Sequence, residues 1–262
     1  MVVALGRLHE LPATSPRGGD GRVQAGAQVW IRSAAGVAFP VVLDQLRREH
    51  FVGSVPWRRF RSRQGQAHLS GSYWAATTGG HLVYESRLEL ARLLLADFDA
   101  DVVDIYAQPC RLVARVGGRQ RRHVPDFLLV ATCGVVTVVN VKPAHRLTDP
   151  RVAEALDWPR ELFTGHGWRF EIWSGCDPVV LDNVRFLAGY RRREIVTDEA
   201  VDRAVRVVVD GEPLAVAERR LACGAPPYAA RPALLAGLWR GRLSTDLTRP
   251  LSGESTLWRC PS

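Results

Sequence analysis

Two short apolar runs at residues 123–144, HVPDFLLVATCGVVTVVNVKPA, limit the fold more than any other part of the chain. Runs of this length, rich in Val and Leu and bounded by turn residues, read as strands, and the tight connection between them makes them antiparallel neighbours. Three polar residues interrupt the pattern. Asp126 opens the first run after Pro125, and Asn140 and Lys142 close the second. An aspartate in such a run is costly unless it is hydrogen-bonded or binds a cation. Asn140 and Lys142, two apart on a strand, project from one face. Of the 35 basic residues in the chain, Lys142 is the only lysine.

The flanking segments place this pair. YESRLELARLLLADFD (84–99) has helical spacing and good helix formers. VVDIYAQPCRLVARV (102–116) reads as one strand, and the charged turn GGRQRR leads from it into the apolar pair. DPRVAEALDWPRELFTGHG is a helix that Pro159 kinks. WRFEIWS (168–174) alternates as a fourth strand, and LDNVRFLAGYRRRE forms another helix. Upstream, residues 12–26 are Pro/Gly-rich and read as a flexible lead-in, PVVLDQLRREH (40–50) as a helix, and 55–81 as loops and short strands. The texture changes near 197, after which a small helical unit ends in a hairpin-like tail. These boundaries give a lead-in over 1–54, a central domain over 55–197 and a C-terminal region over 198–262.

Composition excludes several classes. Apolar residues at 47% and charged residues at 24% are those of a globular protein. The five cysteines are scattered without a C-x-x-C pair, against structural zinc or a disulfide framework and in keeping with a reducing cytoplasm. No signal peptide and no membrane span are expected, and TTGGH lacks the lysine of a phosphate-binding loop. A net charge of +8 points to a polyanionic partner. Arg58, Arg59 and Arg61, interleaved with Trp57 and Phe60, are candidates for gripping phosphates, as are Arg121 and Arg122 of the RQRR run.

Carboxylates beside a strand bearing a lone lysine form the donor set of a metal-dependent phosphodiesterase. Mg²⁺ takes hard oxygen ligands, commonly one or two carboxylates plus water and phosphate oxygens. Glu89 and Asp126 can supply the carboxylates and Asn140 an amide oxygen. Lys142 would orient or deprotonate a water, or neutralise the charge on the phosphate, roles that suit a compact ammonium better than a guanidinium. Ser86-x-x-Glu89 equally matches a helix capping box, in which Glu89 only bonds backbone, and Glu85 is then the alternative ligand. His123 adjoins Asp126 and the arginine run.

The stretches YESRLELA, DVVDIYAQP, RRHVPDFLL, VNVKPAHRL, GWRFEIW and NVRFLAGYRR, in this order, resemble the TnsA-type endonuclease subunit of heteromeric transposases, within the restriction-endonuclease-like superfamily. The resemblance implies an α/β fold: a nuclease core with a mixed central sheet flanked by helices, and a small helical, winged-helix-like C-terminal region. It places the catalytic residues at Glu89, Asp126 and Lys142, the metal ligands at Glu89, Asp126 and Asn140, and further site candidates at Glu85, Gln108 and His123. It implies Mg²⁺, with Mn²⁺ substituting, and cutting of the non-transferred strand at transposon ends in the bacterial cytoplasm. The implied partners are double-stranded DNA, a DDE-type transposase and an AAA+ regulator. The superfamily pattern has Asp or Glu where this chain has Asn140; TnsA itself has an amide, glutamine, at that place. The shorter Asn offers Mg²⁺ less negative charge than a carboxylate would. The competing readings are a nuclease-fold scaffold without catalysis and a transcription regulator using the basic C-terminal helices.

Overall fold

In the computed structural model, residues 26–58, 70–224 and 227–261 are described. They fall into two compact units. One comprises residues 26–97 and 101–175, and the other residues 98–100 with 176–261.

The first unit holds β1 (Gln28–Arg32), β2 (Ala38–Val42), β3 (Gly71–Ala75), β4 (Gly80–Tyr84), nearly all of α1 (Arg87–Phe98), β5 (Val102–Ala107), β6 (Cys110–Val116), β7 (Arg119–His123), β8 (Phe127–Ala131), β9 (Val136–Val141), α2 (Pro150–Gly165) and β10 (Arg169–Trp173). A mixed sheet runs β10-β9-β8-β5, with β8 antiparallel to both β5 and β9, and β10 parallel to β9. The parallel step requires a crossover, which α2 provides. A second, antiparallel sheet runs β2-β1-β6-β7, and β3 pairs with β4. Val29, Ile31, Leu112 and Ala114 of the second sheet share a core with Leu128, Val130, Val136 and Val138 of the first, with Trp158 and Phe163 of α2, and with Phe51. Arg92 of α1 makes a two-pronged ion pair with Glu171 of β10, at 2.9 and 2.8 Å, which ties that helix to the mixed sheet.

Several elements differ from the sequence reading. Residues 40–50 are not a helix. They finish β2 and form two short 3₁₀ turns, Leu43–Gln45 and Arg48–Phe51. Pro40 is compatible with the start of a helix and equally with β2, which is an edge strand, so local sequence does not decide between them. The run 102–116 is two strands in different sheets, divided at Gln108-Pro109. Gln108 has φ of 47°, the one left-handed non-glycine among the described residues. The RQRR run is strand β7, and its turn is Gly117-Gly118, both at positive φ as a tight hairpin requires. α2 runs on through Pro159 to Gly165. The lead-in up to residue 25 lies outside the described residues.

The second unit contains α3 (Pro178–Leu187), α4 (Asp198–Val207), β11 (Glu212–Pro213), α5 (Leu214–Ala222), α6 (Pro227–Trp239), β12 (Leu243–Ser244) and β13 (Thr256–Arg259). The units divide after Gly175, which puts α3 here, whereas the sequence reading draws its boundary near 197. α6 is buried from Ala233 to Trp239 and packs against α3, α4, α5 and β12. Gly237 permits the last of these, because a Cβ there would lie 3.0 Å from Leu243 Cδ1. Phe98, the last residue of α1, meets Trp239 with ring centroids 5.4 Å apart. The small sheet runs β11-β13-β12.

Candidate active site

The hairpin of β8 and β9 builds one wall of the site. Asp126 precedes β8, and its backbone N–H donates to Val139 O at 3.0 Å, which fixes it opposite the end of β9. Its carboxylate oxygen Oδ2 accepts the Val141 N–H at 2.6 Å. Lys142 follows β9, and its N–H donates to Trp173 O of β10 at 2.9 Å. The ammonium donates to Val141 O at 3.0 Å and stands 3.7 Å from Asp126 Oδ2. The aspartate and the lone lysine therefore meet, as their positions on adjoining strands require.

Asn140, two residues before Lys142, is 1% exposed. Its Oδ1 lies 2.7 Å from His123 Nε2, while its Nδ2 is buried without a hydrogen-bond partner. Burial lowers the His123 pKa to about 4, against the hydrogen bond to Asn140, which acts the other way. The ring is thus neutral near pH 7, and it also stands edge-on to Trp158.

Glu89 enters from α1 and forms a variant of the capping box, taking the backbone N–H of Glu85 rather than that of Ser86. Its Oε2 accepts the Glu85 N–H at 2.7 Å and its Oε1 the Ser86 hydroxyl at 3.1 Å, while Ser86 Oγ accepts the Glu89 N–H. Capping does not turn it away from the site, because it lines the same cavity as Asp126. Burial raises the pKa of both carboxyls, and their mutual repulsion raises that of Glu89 further; the Lys142 ammonium opposes the shift at Asp126. Buried carboxylates that repel one another favour a cation between them.

Glu85 is paired with Arg58 at 2.5 Å on the same cavity. Gln108 does not line the cavity but braces it. Its N–H donates to Asp126 O, its own carbonyl accepts the Trp57 N–H, and its side-chain oxygen accepts the Arg58 N–H. Trp57 is held between the guanidiniums of Arg32 and Arg111, 5.1 and 4.5 Å from its centroid. Arg122 lines the cavity, whereas Arg121 pairs with Glu154. Arg59 and Arg61 lie outside the described residues. The cavity, about 550 Å³, is also lined by Arg146, Asp149 and Arg151, which the sequence reading did not single out. A signal was present: KPAHRLTDPR returns to the site within one 3₁₀ turn of the lysine.

Residues 99–175 match the family described as TnsA-like endonuclease N terminal. That stretch resembles a TnsA-like endonuclease domain. The matched stretch is less than a third of the chain. It contains Asp126, Asn140 and Lys142, while Glu85 and Glu89 precede it. No curated protein matches the chain. The site offers hard oxygens in the carboxylates of Asp126 and Glu89. Among the described residues no group of three or more His, Cys, Asp or Glu is placed to hold a metal ion. Such a set fits Mg²⁺, which keeps several waters and needs only one or two carboxylates, better than it fits an ion held in a full protein cage. No helix among the described residues is long and apolar enough to cross a membrane.

Proposed function

We propose that this chain is the Mg²⁺-dependent endonuclease subunit of a heteromeric transposase, hydrolysing a phosphodiester on the non-transferred strand at transposon ends. The observation that carries the reading is the chain's one lysine, 3.7 Å from a buried aspartate inside a TnsA-like endonuclease domain. Asp126 and Glu89 would hold the ion, with water completing its shell. When bound, it would supply Lewis acidity and offset charge building on the phosphate. Lys142 would hold a water or a phosphate oxygen beside Asp126, and Asp126 keeps the ammonium in place. The partners on this reading are a DDE-type transposase that cuts the other strand and an AAA+ regulator, in the bacterial cytoplasm.

The mixed sheet crossed over by α2, with α1 tied to it through Arg92–Glu171, supports a restriction-endonuclease-like core. In the second unit the order α4, β11, α5, α6, β12, β13, with β13 between β11 and β12, supports a winged helix. The helix that would read a DNA groove in that arrangement is α6, which is buried from Ala233 to Trp239 and exposed at Tyr228 and Arg231.

A second reading, a nuclease-fold scaffold without catalysis, is favoured by Asn140, which brings no charge and has its oxygen engaged by His123. Purified protein, Mg²⁺ or Mn²⁺, the partner transposase and end-bearing DNA separate the two. The nuclease reading expects nicks on one strand that disappear in Asp126→Ala. Complexes that assemble equally well with parent and Asp126→Ala, with no nick from either, would establish the scaffold.

A further inference from the structure

The cavity is lined by Glu85, Glu89 and Asp126, the last two buried, and by Arg122, Arg146 and Arg151, all three exposed. Arg146 and Arg151 are exposed, and neither guanidinium has a hydrogen-bond or ion-pair partner among the described residues. A carboxylate stands close by in Asp149, but it is spent on capping α2, where it accepts the Arg151 N–H at 2.9 Å. Arg151 also sits in the first turn of α2, which has no acidic residue. A cation is unfavourable there, because the helix dipole already places partial positive charge at that end. Local stability would be better served by almost any other residue. An unpaired cation at the positive end of a helix, beside two other arginines and facing a cavity, makes sense where an anion comes to it.

We infer that Arg146 and Arg151 grip the DNA backbone phosphates that flank the scissile one, and so position the strand over Asp126 and Lys142. The layering chooses the ligand. An acidic floor draws a divalent cation, and a cationic rim draws the anion that accompanies it. A polymer with regularly spaced phosphates can meet a cation held at the floor and the arginines at the rim along one strand, whereas a single free phosphate meets only one of the two. The grip is on backbone, so it carries no sequence information. The inference rests on the nuclease reading above and adds two residues outside the catalytic set.

The test is binding of the full chain to a short fluorescein-labelled DNA duplex in chelator, followed by anisotropy over a series of NaCl concentrations. Removing one arginine–phosphate pair should flatten the plot of log K against log salt by about 0.9, so Arg146→Ala with Arg151→Ala should flatten it by about 1.8. Arg151→Lys keeps the charge and should keep the slope. Arg115→Ala, an exposed arginine of β6 outside the cavity, should leave the slope unchanged. Arg151→Ala should unfold at the same temperature as the parent or a higher one, since it removes a cation from a helix N-terminus. A double variant with the parent's slope, or a lower unfolding temperature for Arg151→Ala, overturns the inference while leaving the nuclease reading in place. A parent protein that binds no DNA overturns both.

Discussion

A lysine where every other basic residue is arginine is explained by geometry at the scale of single residues. The ammonium reaches Val141 O and Asp126 from a strand end, a space that the planar guanidinium fork does not match. Lys142→Arg should therefore lose most cleavage at saturating metal while retaining DNA binding, as single-turnover rates and anisotropy on one preparation would show. Asn140→Asp would set a carboxylate against His123 Nε2 and should raise the pKa of that ring, measured by NMR titration. His123 carries the pH prediction. Its pKa falls from 6.5 to about 4 on folding, so the folded state holds fewer protons than the unfolded chain between those values. Stability is then complete above pH 6.5 and drains away as pH falls toward 4, by on the order of 2 to 3 kcal/mol. In His123→Gln the same acid titration of unfolding free energy should be flatter. Asp126 and Lys142 were legible in the sequence because each breaks an apolar run. The His123–Asn140 pairing was not, because it joins strands of different sheets and neither residue disturbs its local pattern.

For the elements, periodicity located most of what surrounds the site. α1, β8, β9, α2 and β10 fall where apolar spacing puts them, and α3 covers 178–187 where the sequence reading has 181–194. It failed where tertiary pairing decides. Nothing local shows that residues 102–107 and 110–116 belong to different sheets, since both halves are apolar and β-branched. The break is a left-handed Gln108 before a proline, held by hydrogen bonds to Asp126 and Arg58 that sequence does not display. The double reading of Ser86-x-x-Glu89 was resolved in favour of both: Glu89 caps α1 and lines the cavity. Ser86→Ala should cost about 1 kcal/mol in chemical denaturation, the usual value of a missing cap. The Arg92–Glu171 pair is more consequential, with side chains only 8% and 19% exposed. Arg92→Ala leaves a nearly buried carboxylate alone, and a loss of about 3 kcal/mol in the same measurement is expected.

Taken as a whole, the molecule has two cores, and the second is built from Val201, Ala204, Leu214, Ala217, Leu221, Leu234, Leu235 and Leu257. A fragment of residues 176–262 should therefore fold alone and give a dispersed amide NMR spectrum; a collapsed spectrum would show that its core needs residues from the rest of the chain. Within the first unit the order of assembly is written into the sheet. β8 and β9 are joined by a turn of a few residues, and such hairpins close in about 1 to 10 microseconds. β10 joins β9 in parallel only after the chain has threaded all of α2, a much larger loop to close. Asp126 is thus placed early in folding. The backbone of Lys142, pinned by Trp173, is placed last. Substitutions in the hairpin should slow folding, and those in β10 should chiefly speed unfolding. A nascent or partly unfolded chain would carry its aspartate in position and its lysine adrift, and the Asp126–Lys142 pair would form only when the final strand seats.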